Sequence, residues 1–462
     1  MASQTNTQPA RGMRDFLPDE VRRREYVIGV IGDVYRRYGF EPLETPAVEN
    51  IDTLMGKYGE EGDRLIFKIL KRGEEGRQTG DADLALRYDL TVPLARVVAE
   101  YRGKLPRVFK RYQVQPVWRA DRPQKGRFRE FYQCDVDVVG SKGLVVEAEL
   151  CAAVSDVLHQ LGFSDFTIRL NDRRVLTGVL DAVGVPAALH GSALVAVDKF
   201  DKVGRAGVEQ ELATRGLDPA VAASLAGFVE MSSEGMGGSD VHTANERQLA
   251  ALDGLLASSG EEPGSDARVA ARQALIDLRE VLALTRVTSA ALHVRLDPSL
   301  ARGLSYYTGA IMEITVRDLA GSLGGGGRYD GLIGMFSGEQ VPACGFSLGL
   351  ERILVVMAER GMFPPSVTRV NADVLVTVWS RERTAAALAL AAELRGAGLR
   401  VDVYPEPDKL GKQFKYAASR NIPFVAVLGD DEASRGEVTV KNMATGDQRT
   451  VSRNEVAAAL AR

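Results

Sequence analysis

The 462-residue sequence predicts a multidomain protein of mixed α+β and α/β class. Three observations favour this class: a hairpin pattern in residues 117–136, a long helical stretch, and an alternation of strands and helices near the end of the chain. The length allows two to four domains. We place the domain boundaries so that they divide the chain into residues 1–185, 186–285, 286–365 and 366–462.

Composition excludes several classes of protein. The hydrophobic content of 45% is ordinary for a chain that builds real cores. No apolar run is long enough to span a membrane, and the polar first ten residues do not resemble a signal peptide. The net charge of −4 means that any nucleic-acid role must depend on local basic patches. Three cysteines without metal-ligand spacing favour a reduced, cytoplasmic environment and predict no metal site.

The first predicted elements are a helix and an extended stretch. Pro18 to Tyr38 has apolar residues at helical spacing, Pro18 suits a first turn, and Gly39 ends the helix. Phe40 to Val48 contains two prolines and is therefore extended. This pair of elements suits either plain core packing or a subunit interface, and physical reasoning alone favours core.

A strand changes to a helix between Leu84 and Arg96. Asp89 and Thr91 lie at the changeover, where their residue types commonly cap helices. Helix capping is therefore the simplest interpretation of both side chains. A further helix at Glu147–Leu161 and a short strand at Phe166–Leu170 follow.

The hairpin is the most informative stretch. A turn at Arg122–Gly126 joins two strand-like runs, and side chains on the return strand alternate between two faces. One face suits a core, and the other carries an aromatic ring, an amide and two carboxylates: Phe131, Gln133, Asp135 and Asp137. The hairpin also carries cations that suit a polyphosphate or a nucleic-acid backbone: Arg119, Arg122, Lys125, Arg127 and Arg129. An exposed basic hairpin on a solvated sheet is an equal alternative.

The remaining stretches predict an inserted helical domain and a second α/β region. Residues 186–285 are rich in Ala, Leu and charge in a helical pattern. The glycines at 324–327 are not followed by Lys-Ser or Lys-Thr, which excludes a Walker loop. They suit either a flexible turn or, as we favour, a backbone that a ligand must approach closely. After Pro365 strands and helices alternate, as in a small α/β domain, and one helix has a basic side that is usually just solvated.

Five motifs, in order, identify a family. Phe40–Glu49, Arg119–Asp137 and Gly345–Arg352 resemble motifs 1, 2 and 3 of class II aminoacyl-tRNA synthetases. Arg302–Tyr307 and Gly326–Gly331 resemble the two signatures of the histidine enzymes. The chain thus resembles the histidyl-tRNA synthetase family over nearly its full length. Ser305 stands where the first signature usually has Asp, a change that we interpret as tolerated.

The resemblance implies a fold and an activity. The implied fold has the class II antiparallel-sheet catalytic core in residues 1–185 and 286–365, a helical insertion domain at 186–285, and an α/β anticodon-binding domain at 366–462. The implied reaction joins L-histidine to ATP, giving histidyl-adenylate and pyrophosphate, and then passes the histidyl group to tRNA(His) with release of AMP. The substrate carboxylate is itself the nucleophile, so the site must supply alignment and positive charge. A cytoplasmic homodimer without membrane contact, and Mg²⁺ carried with ATP, are also implied.

The resemblance further implies roles for individual residues. Arg119 and Arg302 would be the catalytic residues, because both would bind the α-phosphate and contact the substrate histidine. The rest of the ATP site would be Asp121, Arg127, Phe131 and Arg352, with Phe131 stacked on adenine. The histidine amine would be bound by Asp89, Thr91 and Gln133, and the ring by Asp137 and Tyr307, in a pocket shaped by Tyr306 and Tyr329. Gln124, in the turn, would approach the tRNA.

There are two alternatives, a regulatory protein and a synthetase for another amino acid. The regulatory subunit of ATP phosphoribosyltransferase resembles a synthetase, but it usually lacks the C-terminal domain and loses motif residues, both of which this chain keeps. A class II synthetase for another amino acid is disfavoured by the paired signatures around Arg302 and Arg328.

Overall fold

The computed structural model describes residues 6–73, 79–234, 240–258, 266–301, 306–368 and 372–460. The described residues fold into two compact units, Met1–Met362 and Phe363–Arg462. Arg302 and Ser305, two residues of the first histidine signature, lie outside the described residues. Among the helices that the structure describes, none is long and apolar enough to cross a membrane.

The first unit contains most of the secondary structure. Its strands are β1 (Glu41–Pro42), β2 (Val48–Asn50), β3 (Lys68–Leu70), β4 (Ala82–Leu86), β5 (Phe109–Trp118), β6 (Glu130–Val139), β7 (Thr167–Asp172), β8 (Val294–Leu296), β9 (Ala310–Thr315), β10 (Ser322–Arg328) and β11 (Ala343–Gly349). Its helices are α1 (Pro18–Arg37), α2 (Ile51–Leu54), α3 (Gly59–Asp63), α4 (Thr91–Tyr101), α5 (Val145–Gln160), α6 (Arg173–Ala182), α7 (His190–Val197), α8 (Phe200–Thr214), α9 (Pro219–Glu234), α10 (Val241–Ser258), α11 (Asp266–Thr285), α12 (Gly334–Ser337) and α13 (Leu350–Glu359).

A large sheet organises this unit. In the described ranges it has eight strands in the order β1-β5-β6-β11-β10-β9-β7-β8, and β2-β4-β3 form a separate small sheet. Neighbours from β5 through β11, β10 and β9 to β7 are antiparallel, and the β1–β5 and β7–β8 pairs at the two edges are parallel. The predicted antiparallel core is therefore confirmed. Helices α7 to α11 occupy the stretch between β7 and β8 that was predicted to be helical.

The first helix and the stretch after it follow the sequence pattern closely. Helix α1 buries Val27, Ile31, Val34 and Tyr35, the apolar residues at helical spacing, and Gly39 after it has a φ of +75°. The proline-bearing stretch is extended, but it pairs as a strand only at Glu41–Pro42 and again from Val48. Pro42 is the last residue of the first strand and Pro46 lies between the two strands, and neither has the N–H that a ladder hydrogen bond requires.

The predicted hairpin is formed by β5 and β6. Phe109 pairs with Val139 at one end of the hairpin and Trp118 pairs with Glu130 at the other, and residues 119–129 connect the strands. Within this loop Gln124 and Arg127 form an isolated bridge. The core face of β6 is buried as predicted, with Cys134 and Val136 fully shielded from solvent.

The glycine run is a strand and not a turn. Residues 324–327 lie within β10, between β9 and β11. A Cβ on Gly326 would lie 2.0 Å from the Gly345 carbonyl oxygen, and one on Gly324 would lie 2.4 Å from that of Ser347. The flexible-turn interpretation is therefore wrong, because these glycines permit close contact with the backbone of β11.

The second unit has the predicted alternation of strands and helices. Its strands are β12 (Val374–Val376), β13 (Val401–Val403), β14 (Phe424–Val427), β15 (Glu437–Asn442) and β16 (Gln448–Ser452), and its helices are α14 (Pro365–Thr368), α15 (Thr384–Gly396), α16 (Leu410–Ser419), α17 (Asp430–Arg435) and α18 (Val456–Leu460). The sheet order is β13-β12-β14-β15-β16, with β12 parallel to both of its neighbours. Helix α17, which has six residues, was not predicted from the sequence.

Candidate active site

Side chains from several strands of the large sheet converge on one cleft of about 1040 Å³. The cleft is lined by every predicted site residue within the described ranges, namely Asp89, Thr91, Arg119, Asp121, Gln124, Arg127, Phe131, Gln133, Asp137, Tyr306, Tyr307, Tyr329 and Arg352. The polar face of β6 therefore forms part of its wall, as strand alternation predicted. This convergence disfavours the alternative of a merely solvated hairpin.

One end of the cleft is acidic. Asp137 is buried; Tyr329 donates a hydrogen bond of 2.5 Å to its Oδ1, and Arg111 lies 2.8 Å from its Oδ2. Gly345 is directly opposite Asp137 in the β6–β11 register, and a Cβ there would lie 1.8 Å from Oδ1. Glycine at position 345 therefore leaves the room that the Asp137 carboxylate occupies.

Arg111 was not identified from the sequence. This side chain is fully buried on β5, and it lies 3.8 Å from Asp135 in addition to its shorter contact with Asp137. A polar side chain at every second position of β5, at Arg111, Gln113 and Gln115, was the signal that could have found it. Arg111 keeps two carboxylates at the cleft from being buried without a counter-ion.

Asp89 caps a helix and lines the cleft at the same time. Its Oδ1 accepts hydrogen bonds from the Val92 N–H at 3.1 Å and from the Tyr58 hydroxyl at 3.0 Å. Its Oδ2 accepts from the Tyr306 hydroxyl at 3.3 Å. The capping interpretation is thus correct for Asp89, and it does not compete with a binding role. Thr91 is the first residue of the helix and not its cap. Tyr58 was not identified from the sequence, because nothing in its local pattern distinguishes it from a core tyrosine.

Burial controls the protonation of this acidic end. Burial raises the pKa of Asp135 to about 7, against the opposing pull of Arg111. It also raises the pKa values of Asp89 and Asp137, again with an arginine among the groups that oppose the shift. The pKa values of Tyr306 and Tyr329 lie well above the usual range for the same reason, so both hydroxyls stay protonated as donors.

The other end of the cleft is basic. The Arg119 guanidinium lies 4.3 Å from the ring centre of Tyr88 and 5.1 Å from that of Phe131, and it donates to the Tyr88 carbonyl at 3.0 Å. Arg127 makes a bidentate ion pair with Asp121, with hydrogen bonds of 2.8 and 3.0 Å. Arg352 donates to the Ser322 carbonyl at 2.5 Å, next to Gly321. Planar guanidinium groups held in this way suit phosphate oxygens.

The segment before α1, residues 12–16, packs against the loop between β5 and β6. The Gly12 carbonyl accepts a hydrogen bond of 2.8 Å from the Arg129 N–H, and Gly12 has a φ of +87°. The Arg14 guanidinium lies 3.8 Å from the ring centre of Phe128. The Arg24 guanidinium of α1 lies 4.0 Å from the ring centre of Phe16. These contacts connect the N-terminal segment to the loop that carries the cleft arginines.

Glu351 links α1, the hairpin and α13. Its Oε1 lies 2.8 Å from Arg24 Nη1, and its Oε2 accepts the Tyr132 N–H at 2.9 Å. Glu351 is buried, lines the cleft, and immediately precedes Arg352. The position of Arg352 is thereby coupled to both the return strand and the N-terminal helix.

Family comparisons agree with this geometry. Residues 12–353 match the family model described as histidyl-tRNA synthetase, and residues 373–462 match the one described as an anticodon binding domain. The chain belongs to the histidyl-tRNA synthetase family. Members of this family ligate histidine to tRNA(His) and use ATP to do so, so the predicted activity and the class II fold are confirmed.

Individual relatives cover the chain almost from end to end. The histidine–tRNA ligase of Porphyromonas gingivalis is 43% identical over 457 residues, which are 95% of each chain. That of Gloeobacter violaceus is 40% identical over 463 residues, also 95% of each chain. The crystal structure of histidyl-tRNA synthetase from Nostoc is similar with a TM-score of 0.79 at 31% identity, over 99% of this chain and 100% of that one.

A more distant structure bears on the regulatory alternative. A Bacillus halodurans protein described as an ATP phosphoribosyltransferase regulatory subunit/histidyl-tRNA synthetase has a TM-score of 0.69 at 20% identity, over 92% of this chain and 99% of that one. At that identity the likeness concerns the fold alone. The two histidine–tRNA ligases have about twice that sequence identity to this chain, and they support the activity.

Proposed function

We propose that the cleft activates histidine with ATP, with the amino acid at the acidic end and the triphosphate at the basic end. The observation that carries this assignment is the convergence of the described motif residues on one cleft whose two ends differ in charge. A histidine zwitterion has a cationic amine and an anionic carboxylate, and ATP adds a polyanion. The charges of the substrates therefore match those of the cleft in only one orientation, with the histidine amine at the acidic end and the phosphates at the basic end.

The acidic end would bind the amine and the ring. Asp89, with Thr91 and Gln133 nearby, would accept the ammonium protons. Asp137 would accept from a ring N–H, and Tyr307 would meet the second ring nitrogen. Tyr329 supports this arrangement because its hydroxyl holds the Asp137 carboxylate in one orientation. Tyr306 would shape the amine end through its contact with Asp89.

The basic end would align the reacting groups. The histidine carboxylate attacks the α-phosphorus and pyrophosphate leaves, so charge builds up on the phosphate oxygens. Arg119, joined by Arg302, would stabilise that charge, and each such donor is worth about 3–4 kcal/mol of barrier. Phe131, already next to the Arg119 guanidinium, would stack on adenine, and Asp121 would lie close to the nucleotide. Arg127 and Arg352 would hold the outer phosphates.

Mg²⁺ would arrive with ATP. Nucleotide-bound Mg²⁺ is coordinated mainly by phosphate oxygens and water, without a dedicated protein cage. The part of the chain that the structure describes has no group of three or more His, Cys, Asp or Glu side chains that could hold a metal. Asp121 and Glu351 line the cleft, but each already pairs with an arginine. The residues present therefore fit an ion held by the triphosphate.

The transfer step would use tRNA contacts from both units of the chain. Gln124, in the loop between β5 and β6, would contact the acceptor end, where the histidyl group is transferred. The second unit would read the anticodon, as its match to an anticodon binding domain supports. We further propose a cytoplasmic homodimer, with the motif 1 stretch around Phe40–Glu49 at the subunit contact.

Histidine-dependent exchange of pyrophosphate into ATP tests the assignment of the basic end. Arg352→Gln should raise the KM for ATP about 10- to 100-fold, since hydrogen bonds to charged groups are worth about 1.5–3 kcal/mol. Arg360→Gln is the matched control: it follows the same helix and pairs with Asp165 and Asp318, away from the cleft. Equal KM values for the two variants would remove Arg352 from the ATP site.

A further inference from the structure

Among the residues that the structure describes, those at the ring end of the cleft carry more negative than positive charge. Asp135 and Asp137 lie on the same face of β6, both are 2% exposed, and both line the cleft. Arg111 pairs with both of them, at 2.8 Å from Asp137 and 3.8 Å from Asp135. When both carboxylates are ionised, this group of three side chains has a net charge of −1.

The other neighbours of Asp135 do not remove that charge. Gln113 on β5 and Ser347 on β11 lie directly opposite Asp135, and both are neutral. The Gln133 amide donates to Asp135 Oδ1 at 3.4 Å. Asp89 and Asp137 add repulsion, and burial, the largest effect, raises the Asp135 pKa to about 7.

A buried excess charge is unfavourable and is removed by a proton or by a counter-ion. In the free protein a proton on Asp135 removes it. In the complex, the ligand can remove it if it brings a positive charge to the ring end. An imidazole ring, with a pKa near 6.5, gains such a charge by taking one proton.

We propose that Asp135 makes the cleft bind histidine with its ring protonated, so that binding above neutral pH takes up one proton from solution. This inference depends on the proposed placement of the ring beside Asp137. Asp135 is then a residue that determines specificity through charge: it favours a ring that accepts a proton over flat rings that stay neutral. The proton goes to a ring nitrogen, and both carboxylates stay ionised.

Calorimetric titration of histidine into the full chain measures the number of protons taken up on binding. At pH 8, in buffers that differ in ionisation enthalpy, the wild type should take up close to one proton per bound histidine. At that pH most of Asp135 and most of the free imidazole are deprotonated, so the proton must come from solution. The Kd for histidine should then rise up to about tenfold per pH unit between pH 7.5 and 8.5.

Asp135→Asn is the informative variant, because it leaves Arg111 and Asp137 as a balanced pair. Its proton uptake should fall close to zero, its Kd should be higher at pH 7 and nearly independent of pH, and its fold should persist. An acid with a raised pKa costs the wild type stability as the pH rises through 7. The melting temperature of the variant relative to wild type should therefore increase from pH 6 to pH 8. A merely structural Asp135 predicts the opposite, a lower melting temperature with unchanged uptake.

Glu147→Gln is the control, since Glu147 is a fully buried carboxylate that pairs with Arg328 and does not line the cleft. It should keep the proton uptake of the wild type. Uptake that is absent in the wild type, or equal in wild type and Asp135→Asn, overturns the role of Asp135 while leaving histidine binding in place. A wild type that binds no histidine overturns the proposed function itself. Protons from the histidine amine contribute equally to all three proteins.

Discussion

Replacing Gly12 with alanine tests whether the N-terminal segment positions the cleft arginines. Gly12 has a φ of +87°, a conformation that costs a residue with a Cβ about 1–2 kcal/mol. The new Cβ would also lie 2.8 Å from Arg129 Cγ and 2.9 Å from Pro123 Cγ. The Arg129 side chain can rotate away, but the proline ring moves only with its backbone. The substitution should therefore displace the loop that carries Arg119, Asp121 and Arg127.

Two effects are expected, and they are separable. Strain in the left-handed conformation lowers the free energy of unfolding by about 1–2 kcal/mol. Displacement of the loop lowers kcat/KM for ATP, by up to about 10²-fold if the arginines shift by about 1 Å. Urea unfolding measures the first effect. Pyrophosphate exchange at saturating histidine, with ATP titrated, measures the second.

Gly39→Ala is the matched control. Gly39 has a φ of +75°, and a Cβ there would meet nothing within 4 Å. It should lose similar stability and keep kcat/KM for ATP within about twofold of wild type. If both variants have the same kinetics, the N-terminal segment contributes stability alone and our account of its positioning role is wrong.

Three further predictions concern the substrates. Asp137→Asn should raise the KM for histidine by about 10²-fold or more and leave that for ATP nearly unchanged, because a site with an unpaired polar partner discriminates strongly; separate titrations of the two substrates in pyrophosphate exchange measure this. Arg302→Ala should lower adenylate formation about 10²–10³-fold in a folded protein, and near-normal single-turnover rates would exclude a catalytic role. A chain that ends at Pro365 should still catalyse histidine-dependent exchange and remain dimeric by light scattering, yet charge tRNA(His) poorly. If that fragment charges tRNA(His) as well as the full chain does, the second unit has no role in reading the anticodon.

Local periodicity made much of the fold predictable. Alternation with period two assigned Gln133 and Asp137 to one face of a strand, because a shift of one residue would expose Cys134 and Val136. The strands and helices after Pro365 were predictable for the same reason, since each is bounded by its own turn residues. The glycine run was not predictable in this way. Its conformation depends on close contact with the backbone of β11, which no local pattern encodes.

Residues that contact the cleft from distant positions in the sequence could not be predicted either. Tyr58 reaches Asp89 from a segment 31 positions earlier, and Gly12 reaches the hairpin from 117 positions before Arg129. The register that brings Arg111 opposite Asp137 spans a connection of eleven residues, 119–129, which is too long for the turn type to determine. The predicted residues were therefore those with a family motif or a strong local pattern.

The acidic end of the cleft shows why binding and folding must be measured separately here. A buried carboxylate can serve ligand recognition only if something neutralises it while the cleft is empty, and for Asp137 that partner is Arg111. Removing Arg111 would leave two buried carboxylates without a counter-ion, at a cost of about 3–5 kcal/mol. Loss of histidine binding in an Arg111 variant could therefore result either from unfolding or from loss of a recognition contact. Substitutions that keep the shape and change the charge, at Asp135 and Asp137, are the ones that isolate recognition.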